Sequence, residues 1–127
     1  MIRTTLLSLT LMAVLVAATP SDFVDREFHF ALSKSTPTAD SSVDSPTEIR
    51  LWFTEAPEAK MTSIRLIGAD GEPIHTADVT QDEADERSFG VAIEHALSSG
   101  TYTVAWRAIV ADGHVVRDDY QFTVVAK

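Results

Sequence analysis

Histidine and carboxylate side chains are the groups in this sequence that could carry chemistry. The chain has four histidines and no cysteine, which excludes thiolate metal sites and thiol catalysis. One histidine belongs to the motif Asp112-Gly113-His114. In an extended segment, residues i and i+2 project to the same side about 7 Å apart, so this carboxylate and imidazole could converge on one metal ion. Because Asp-Gly is first of all a turn signal, the motif alone is more typical of a surface loop than of a metal site.

The other histidines are His29, His75 and His95. For His75 and His95 we predict exposed surface positions, because neither has a second ligand at metal-binding spacing. A hydrolase site is not indicated either, since the chain lacks a Gly-x-Ser-x-Gly motif and His114 has no identifiable nucleophile. We therefore expect that the protein is not an enzyme.

Alternating apolar and polar residues indicate the elements that must position these side chains. This period of two is typical of half-buried strands, and no stretch shows a convincing helical period. Turn-forming pairs such as Asp70-Gly71 and Ser99-Gly100 separate the runs. We predict an all-β, Ig-like Greek-key β-sandwich of about seven strands. The inward-facing residues are predicted to be Ile49, Leu51, Phe53, Phe89, Val91, Ile93, Tyr102, Val104, Trp106, Ala108, Tyr120, Phe122 and Val124.

One tyrosine has the sequence context of a structural corner. Tyr102 ends the segment Leu-Ser-Ser-Gly-Thr-Tyr, which begins at Leu97. In a tyrosine corner the buried hydroxyl donates a hydrogen bond to the backbone a few residues upstream. We therefore predict a structural role for Tyr102.

The N-terminus has the pattern of a signal peptide. Arg3 precedes an apolar run of about a dozen residues, which ends in small residues up to Ala18. That run is shorter than the roughly 20 residues of a membrane-spanning helix. We predict a signal peptide at residues 1–18, a flexible lead-in at residues 19–28 and one β-sandwich domain at residues 29–127. The expected location is the periplasm or the extracellular space.

The charge of the chain restricts its partners. The net charge is −9, and removal of Arg3 with the signal peptide makes it −10. An acidic balance of this size repels phosphate backbones, so we expect no nucleic-acid partner. We expect a monomer.

Four segments stand in a specific order and spacing: residues 29–37 (HFALSKSTP), 49–55 (IRLWFTE), 100–107 (GTYTVAWR) and 112–114 (DGH). Together they resemble the CopC family of periplasmic copper-resistance proteins. The resemblance implies an Ig-like sandwich that binds Cu(II) through an N-terminal histidine, an aspartate and a second histidine. At matching positions these ligands are His29, Asp112 and His114.

Two features depart from the family pattern. Typical members are cut immediately before the first histidine, so that its α-amine also binds the metal, whereas here the predicted cut lies about ten residues before His29. A role for His29 as ligand and a role as an exposed strand-end residue both stay open. The methionine-rich Cu(I) site of some members is absent, because only Met61 lies outside the predicted signal peptide.

Two roles stay open for Glu55. Its carboxylate is either a hydrogen-bond partner of a metal ligand or a surface charge at the end of a strand.

The resemblance implies an exported protein that holds one Cu(II) ion for copper trafficking, resistance or homeostasis. It also implies a membrane copper transporter as a partner. The alternative is an Ig-like interaction module that has kept the fold and lost the copper site, which the displaced N-terminus favours. A copper-binding assay separates the two.

Overall fold

The computed structural model describes residues 30–125, which form two β-sheets packed face to face. The predicted signal peptide (residues 1–18), the lead-in (residues 19–28) and His29 lie outside the described residues. Within the described range the one helical element is a 3-10 turn at Ala59–Met61. The strands are β1 (Leu32–Thr36), β2 (Ser42–Val43), β3 (Glu48–Phe53), β4 (Ser63–Ile67), β5 (Pro73–Ile74), β6 (Thr80–Gln81), β7 (Ser88–Ala92), β8 (Gly100–Ile109) and β9 (Val115–Val124).

The strand order confirms the predicted all-β sandwich. One sheet has the order β1-β3-β7-β6 and the other β2-β9-β8-β4-β5. Neighbouring strands are antiparallel except β2 and β9, and the chain crosses between sheets after β1, β2, β3, β5 and β7, as in Greek-key sandwiches. The described part has nine strands rather than about seven, because β2, β5 and β6 are two-residue strands at sheet edges. Such strands are too short to show an alternating pattern in the sequence.

The predicted inward-facing residues form the core. Those on β3, β7, β8 and β9 are buried, whereas Ile93, just beyond β7, is half-buried. Phe53 lies at the centre of an aromatic cluster, with ring centroids 5.1 Å from Trp106 and 6.1 Å from Phe89. Aromatic side chains bury about 150–250 Å² each, so this cluster supplies much of the burial that joins the two sheets.

The two tyrosines of the core differ in how their hydroxyls are satisfied. Tyr102 donates a hydrogen bond of 2.6 Å to the Ser98 carbonyl, which confirms the predicted tyrosine corner. The Tyr120 hydroxyl faces Ser35, but Ser35 donates to the Pro37 carbonyl, and Tyr120 makes no hydrogen bond within the described residues. Burial raises the pKa of Tyr120.

The longest element is the hairpin of β8 and β9. Ten residue pairs join these strands, from Gly100 opposite Val124 to Ile109 opposite Val115. The hairpin therefore holds its connecting turn, residues 110–114, at one end of the sandwich. This turn contains the motif Asp112-Gly113-His114.

Candidate metal centre

Backbone hydrogen bonds close the turn that carries the candidate ligands. The Val110 N–H donates to the His114 carbonyl at 3.0 Å, and the Gly113 N–H donates to the Val110 carbonyl at 2.9 Å. Gly113 has a φ of +88°, a conformation that glycine adopts without the steric cost of a side chain. The pair Asp112-Gly113 therefore forms the turn that its sequence indicates.

Asp112 and His114 converge in this turn. The Oδ1 atom of Asp112 accepts the His114 backbone N–H at 2.9 Å, and its Oδ2 atom lies 2.7 Å from His114 Nδ1. The two side chains are 62% and 81% exposed, so the solvent can reach both. The convergence was predicted, but its cause was not: the residues meet through a tight turn and not through an extended segment.

The hydrogen bonds favour the ionised form of Asp112. They hold the pKa of the Asp112 carboxyl below its ordinary value of 3.8, chiefly through the His114 backbone N–H and next through the imidazole. Because an ionised carboxylate can only accept hydrogen bonds, Nδ1–H of His114 is the donor at neutral pH. The Nε2 atom is the ring nitrogen that does not face Asp112.

The start of the described chain lies at the same end of the sandwich. Phe30 is buried, and its ring stacks on Phe53 at 4.8 Å and meets the edge of Trp106 at 6.2 Å. Ala31 and Thr54 exchange backbone and side-chain hydrogen bonds near the end of β3. We call this the hairpin end: the turn at residues 110–114, the end of β3, and Phe30 with Ala31.

A further contact ties the hairpin end together. The Glu58 N–H donates to the Ile109 carbonyl at 2.9 Å, so the segment after β3 is anchored to the last residue of β8. Sequence inspection missed this contact because it is made by the backbone. Glu55 is exposed at this end and forms no hydrogen bond or ion pair within residues 30–125, so its role as a partner of a ligand stays a prediction.

The described residues bring together two of the three predicted ligands. Between residues 30 and 125 no group of three or more histidine, aspartate or glutamate side chains is placed to hold one metal ion. The third predicted ligand, His29, precedes Phe30 and lies outside that range. Its participation stays a prediction.

The other two histidines are exposed, as predicted. The Nε2 atom of His75 lies 3.3 Å from the Glu94 carboxylate, a partner that the sequence did not reveal. The two residues meet because Thr76 and Ile93 form an isolated bridge. His75 and Glu94 together offer two donor groups to a metal ion, and no third donor group joins them within the described residues.

No helix between residues 30 and 125 is long and apolar enough to cross a membrane.

Comparison with curated proteins shows relatives across the whole sandwich. Copper resistance protein C of Escherichia coli is 35% identical over 102 residues, covering 76% of this chain and 81% of that protein. Protein YobA of E. coli strain K12 is 32% identical over 97 residues, covering 76% of this chain and 78% of that protein.

Solved structures show the same fold. PcoC, a methionine-rich copper resistance protein from E. coli, matches with a TM-score of 0.68 and 34% identity, covering 76% of this chain and 99% of that chain. CopC from Methylosinus trichosporium OB3b matches with a TM-score of 0.69 and 28% identity, covering 76% of this chain and 93% of that chain. The family model of the CopC domain matches residues 32–125. The resemblance found in the sequence is confirmed, and this chain belongs to the CopC family.

Proposed function

We propose that this protein is an exported copper carrier that holds one Cu(II) ion at the hairpin end, with Asp112, His114 and His29 as side-chain ligands. Membership of the CopC family and the relatives named copper resistance protein C support a role in copper handling. The observation that carries the proposal is the 2.7 Å separation of Asp112 Oδ2 and His114 Nδ1 in a turn closed by backbone hydrogen bonds.

The donor pair fits a tetragonal copper ion. Two ligand atoms in neighbouring positions, each about 2.0 Å from the metal, are about 2.8 Å apart. The separation of Oδ2 and Nδ1 is 2.7 Å. Carboxylate oxygen and imidazole nitrogen are also the donor types that Cu(II) accepts in square-planar sites. Binding of Cu(II) at Nδ1 would require the ring proton to move to Nε2, and a ring that carries both protons would release one of them.

The position of Phe30 supports the proposed role of His29. Phe30 is held at the hairpin end by its contacts with Phe53 and Trp106. His29 directly precedes Phe30 in the sequence, and on this ground we propose it as the third ligand.

The proposed cellular role follows from the predicted signal peptide at residues 1–18. The carrier works in the periplasm or outside the cell, as a monomer, and exchanges copper with a membrane transporter. Its role is to hold and transfer the ion, without catalysis.

One observation favours a second candidate, a metal-free Ig-like interaction module. Residues 30–125 place only two donor side chains together, and both are exposed. A protein that has lost the α-amine of the usual first ligand and lacks His29 at the site would keep the fold and bind copper poorly.

Copper titration of the exported protein separates the two candidates. We expect one Cu(II) per chain, with affinity at least about tenfold lower in Asp112→Ala and His114→Ala, or about 1.4 kcal/mol for each ligand lost. Asp112→Asn, which keeps an oxygen to accept the turn hydrogen bond but removes the charge, should also weaken binding if Asp112 is a direct ligand.

His75→Ala and His95→Ala are the controls, because each removes an exposed imidazole elsewhere on the surface. Their affinities should match that of the unaltered protein. Absence of stoichiometric copper would exclude the copper proposal and leave the metal-free module. Equal losses in the control and site variants would exclude Asp112 and His114 as the ligands.

A further inference from the structure

Three arginines lie together on the outer surface of the five-stranded sheet. Arg107 on β8 is directly opposite Arg117 on β9, and Arg65 on β4 is opposite Ala105, one pleat further along β8. Because Trp106 and Ala108 point into the core, their neighbour Arg107 points outward. All three arginines are exposed. We call Arg65, Arg107 and Arg117 the arginine face.

The side chains of the arginine face form no ion pair within the described residues, although Asp118 and Asp119 line the same groove. Of the five arginines between residues 30 and 125, Arg50 pairs with Glu48 and Arg87 pairs with Asp85 at 3.2 Å. The guanidinium groups of the other three make no hydrogen bond or ion pair with any described residue. Arginine side chains without an ion pair are unexpected in a chain with 19 acidic and 10 basic residues, because acidic partners are abundant.

The strand register places two positively charged side chains opposite each other, where they repel. Like charges directly opposite each other on antiparallel strands are destabilising, and Arg107 and Arg117 occupy such positions. A carboxylate that contacts both guanidinium groups would remove this repulsion. The planar guanidinium group is suited to such contacts, because it donates two parallel hydrogen bonds to a carboxylate.

We infer that the arginine face binds an acidic, extended segment of a partner protein. The arginines occupy two rows that run across the strands, one with Arg107 and Arg117 and the other with Arg65. The two rows are two residues apart along each strand, which is about 7 Å. Side chains at positions i and i+2 of an extended peptide have the same spacing, so alternate carboxylates match the two rows. The short side chains of Ser63 and Ala105 leave the groove between the arginines open.

The surroundings favour a polypeptide over a polyphosphate. Asp118 and Asp119 line the same groove, and Asp119 lies opposite Ala105. Their carboxylates can accept hydrogen bonds from the backbone N–H groups of a peptide, which a polyphosphate chain does not have. On the other side the face borders Ile109 and Val115, and Val115 is 42% exposed, which gives an apolar contact for the same segment.

The face adjoins the proposed copper site without depending on it. Val115 follows His114 directly, so a partner bound here would lie next to the hairpin end. Binding requires no copper, and its failure would leave the copper titration unaffected.

A labelled peptide tests the inference. The probe is a fluorescein-labelled 12-residue peptide of alternating glutamate and threonine, and the comparison peptide carries glutamine in place of glutamate. Fluorescence anisotropy measures binding to the metal-free full protein at low and at physiological salt. The double variant Arg107→Ala/Arg117→Ala is matched by Lys34→Ala/Arg87→Ala, which removes the same charge from positions outside the arginine face.

The expected result is binding of the glutamate peptide alone, weakened at least about tenfold in Arg107→Ala/Arg117→Ala and by less than about twofold in the control. Added salt should weaken it, because exposed charges are screened over about 8–10 Å. Thermal unfolding verifies that both variants are folded. Equal losses in both variants, or no binding, would overturn the inference.

Two other occupants of the face are also tested. If a single-stranded oligonucleotide binds as tightly as the glutamate peptide and is lost in the same variant, the ligand is a polyphosphate and the inference is wrong. If sedimentation shows that the protein self-associates and that Arg107→Ala/Arg117→Ala abolishes it, the occupant is a second copy and the inference is again wrong.

Discussion

At the scale of single residues, Asp112 acts on both the backbone and the side chain of His114. One carboxylate oxygen accepts the His114 N–H, and the other faces the imidazole. The first bond stabilises the turn, and the second orients the ring. Because these bonds already hold the two donors in place, less conformational freedom is lost when an ion binds.

The same bonds predict how copper binding depends on pH. The pKa of Asp112 is lowered from 3.8, so this carboxylate stays ionised throughout the range where histidines titrate, near about 6.5. Protons then compete with copper only for imidazole nitrogen. We expect Cu(II) affinity to fall as the pH is lowered from 7.5 to 5.5, as measured by competition with a chelator of known pH dependence. Affinity that is constant to pH 5 would contradict imidazole ligation.

Residue types and spacing raised the pairing of Asp112 and His114 as one possibility, and the family resemblance favoured it, but neither predicted the geometry that joins them. The prediction assumed an extended segment, whereas the aspartate closes a turn on the histidine backbone. The pair of His75 and Glu94 was missed because the two residues are far apart in sequence. Contacts of this kind depend on strand pairing, which no local pattern encodes.

At the scale of elements, the hairpin of β8 and β9 determines where the site lies. Its ten paired positions hold the turn at residues 110–114 outside the sheet, and Gly113 allows the turn to close with a positive φ. An alanine in this conformation costs about 1–2 kcal/mol, because its Cβ approaches the following carbonyl oxygen. Gly71 has a similar φ of +82° in a separate turn, which makes it a control.

We expect Gly113→Ala and Gly71→Ala to lower the free energy of unfolding by similar amounts, about 1 kcal/mol each. Only Gly113→Ala should weaken Cu(II) binding, because only that turn carries Asp112 and His114. Urea unfolding measures the stability and copper titration measures the affinity. Equal copper affinities in the two variants would show that the turn does not position the ligands.

The long strands were predictable from the sequence, but their pairing was not. Alternation along β3, β7, β8 and β9 indicated which residues face the core, and the structure buries them. The arginine face is different, because it depends on β4 and β9 lying on either side of β8 in a particular register. The spacing of Arg65, Arg107 and Arg117 along the chain contains no sign of that register.

At the scale of the whole molecule, the fold brings two distant parts of the chain to one end. Phe30 is anchored there by Phe53 and Trp106, and the turn at residues 110–114 lies at the same end. The proposed site therefore depends on how the N-terminus is processed. A cut before Thr19 leaves His29 with its imidazole alone as a donor, whereas a chain that begins at His29 also offers its α-amine.

We expect a form of the protein that begins at His29 to bind Cu(II) at least about tenfold more tightly than one that begins at Thr19, or about 1.4 kcal/mol. The α-amine adds a nitrogen ligand and closes a chelate with the imidazole of the same residue. Titration measures the affinity, and copper EPR detects the added nitrogen. Equal affinities and identical spectra would exclude His29 from the site.

The central claim is that one Cu(II) ion binds at the hairpin end, and paramagnetic broadening of the amide NMR spectrum tests it most directly. Upon addition of substoichiometric Cu(II), the signals of residues 110–114 should disappear first, together with those of Phe30, Ala31 and Thr54. The signals of residues 68–71 and of Ser98, at the opposite end of β8, should persist. Broadening centred on His75 and Glu94, or broadening spread evenly over the sandwich, would contradict the proposed site.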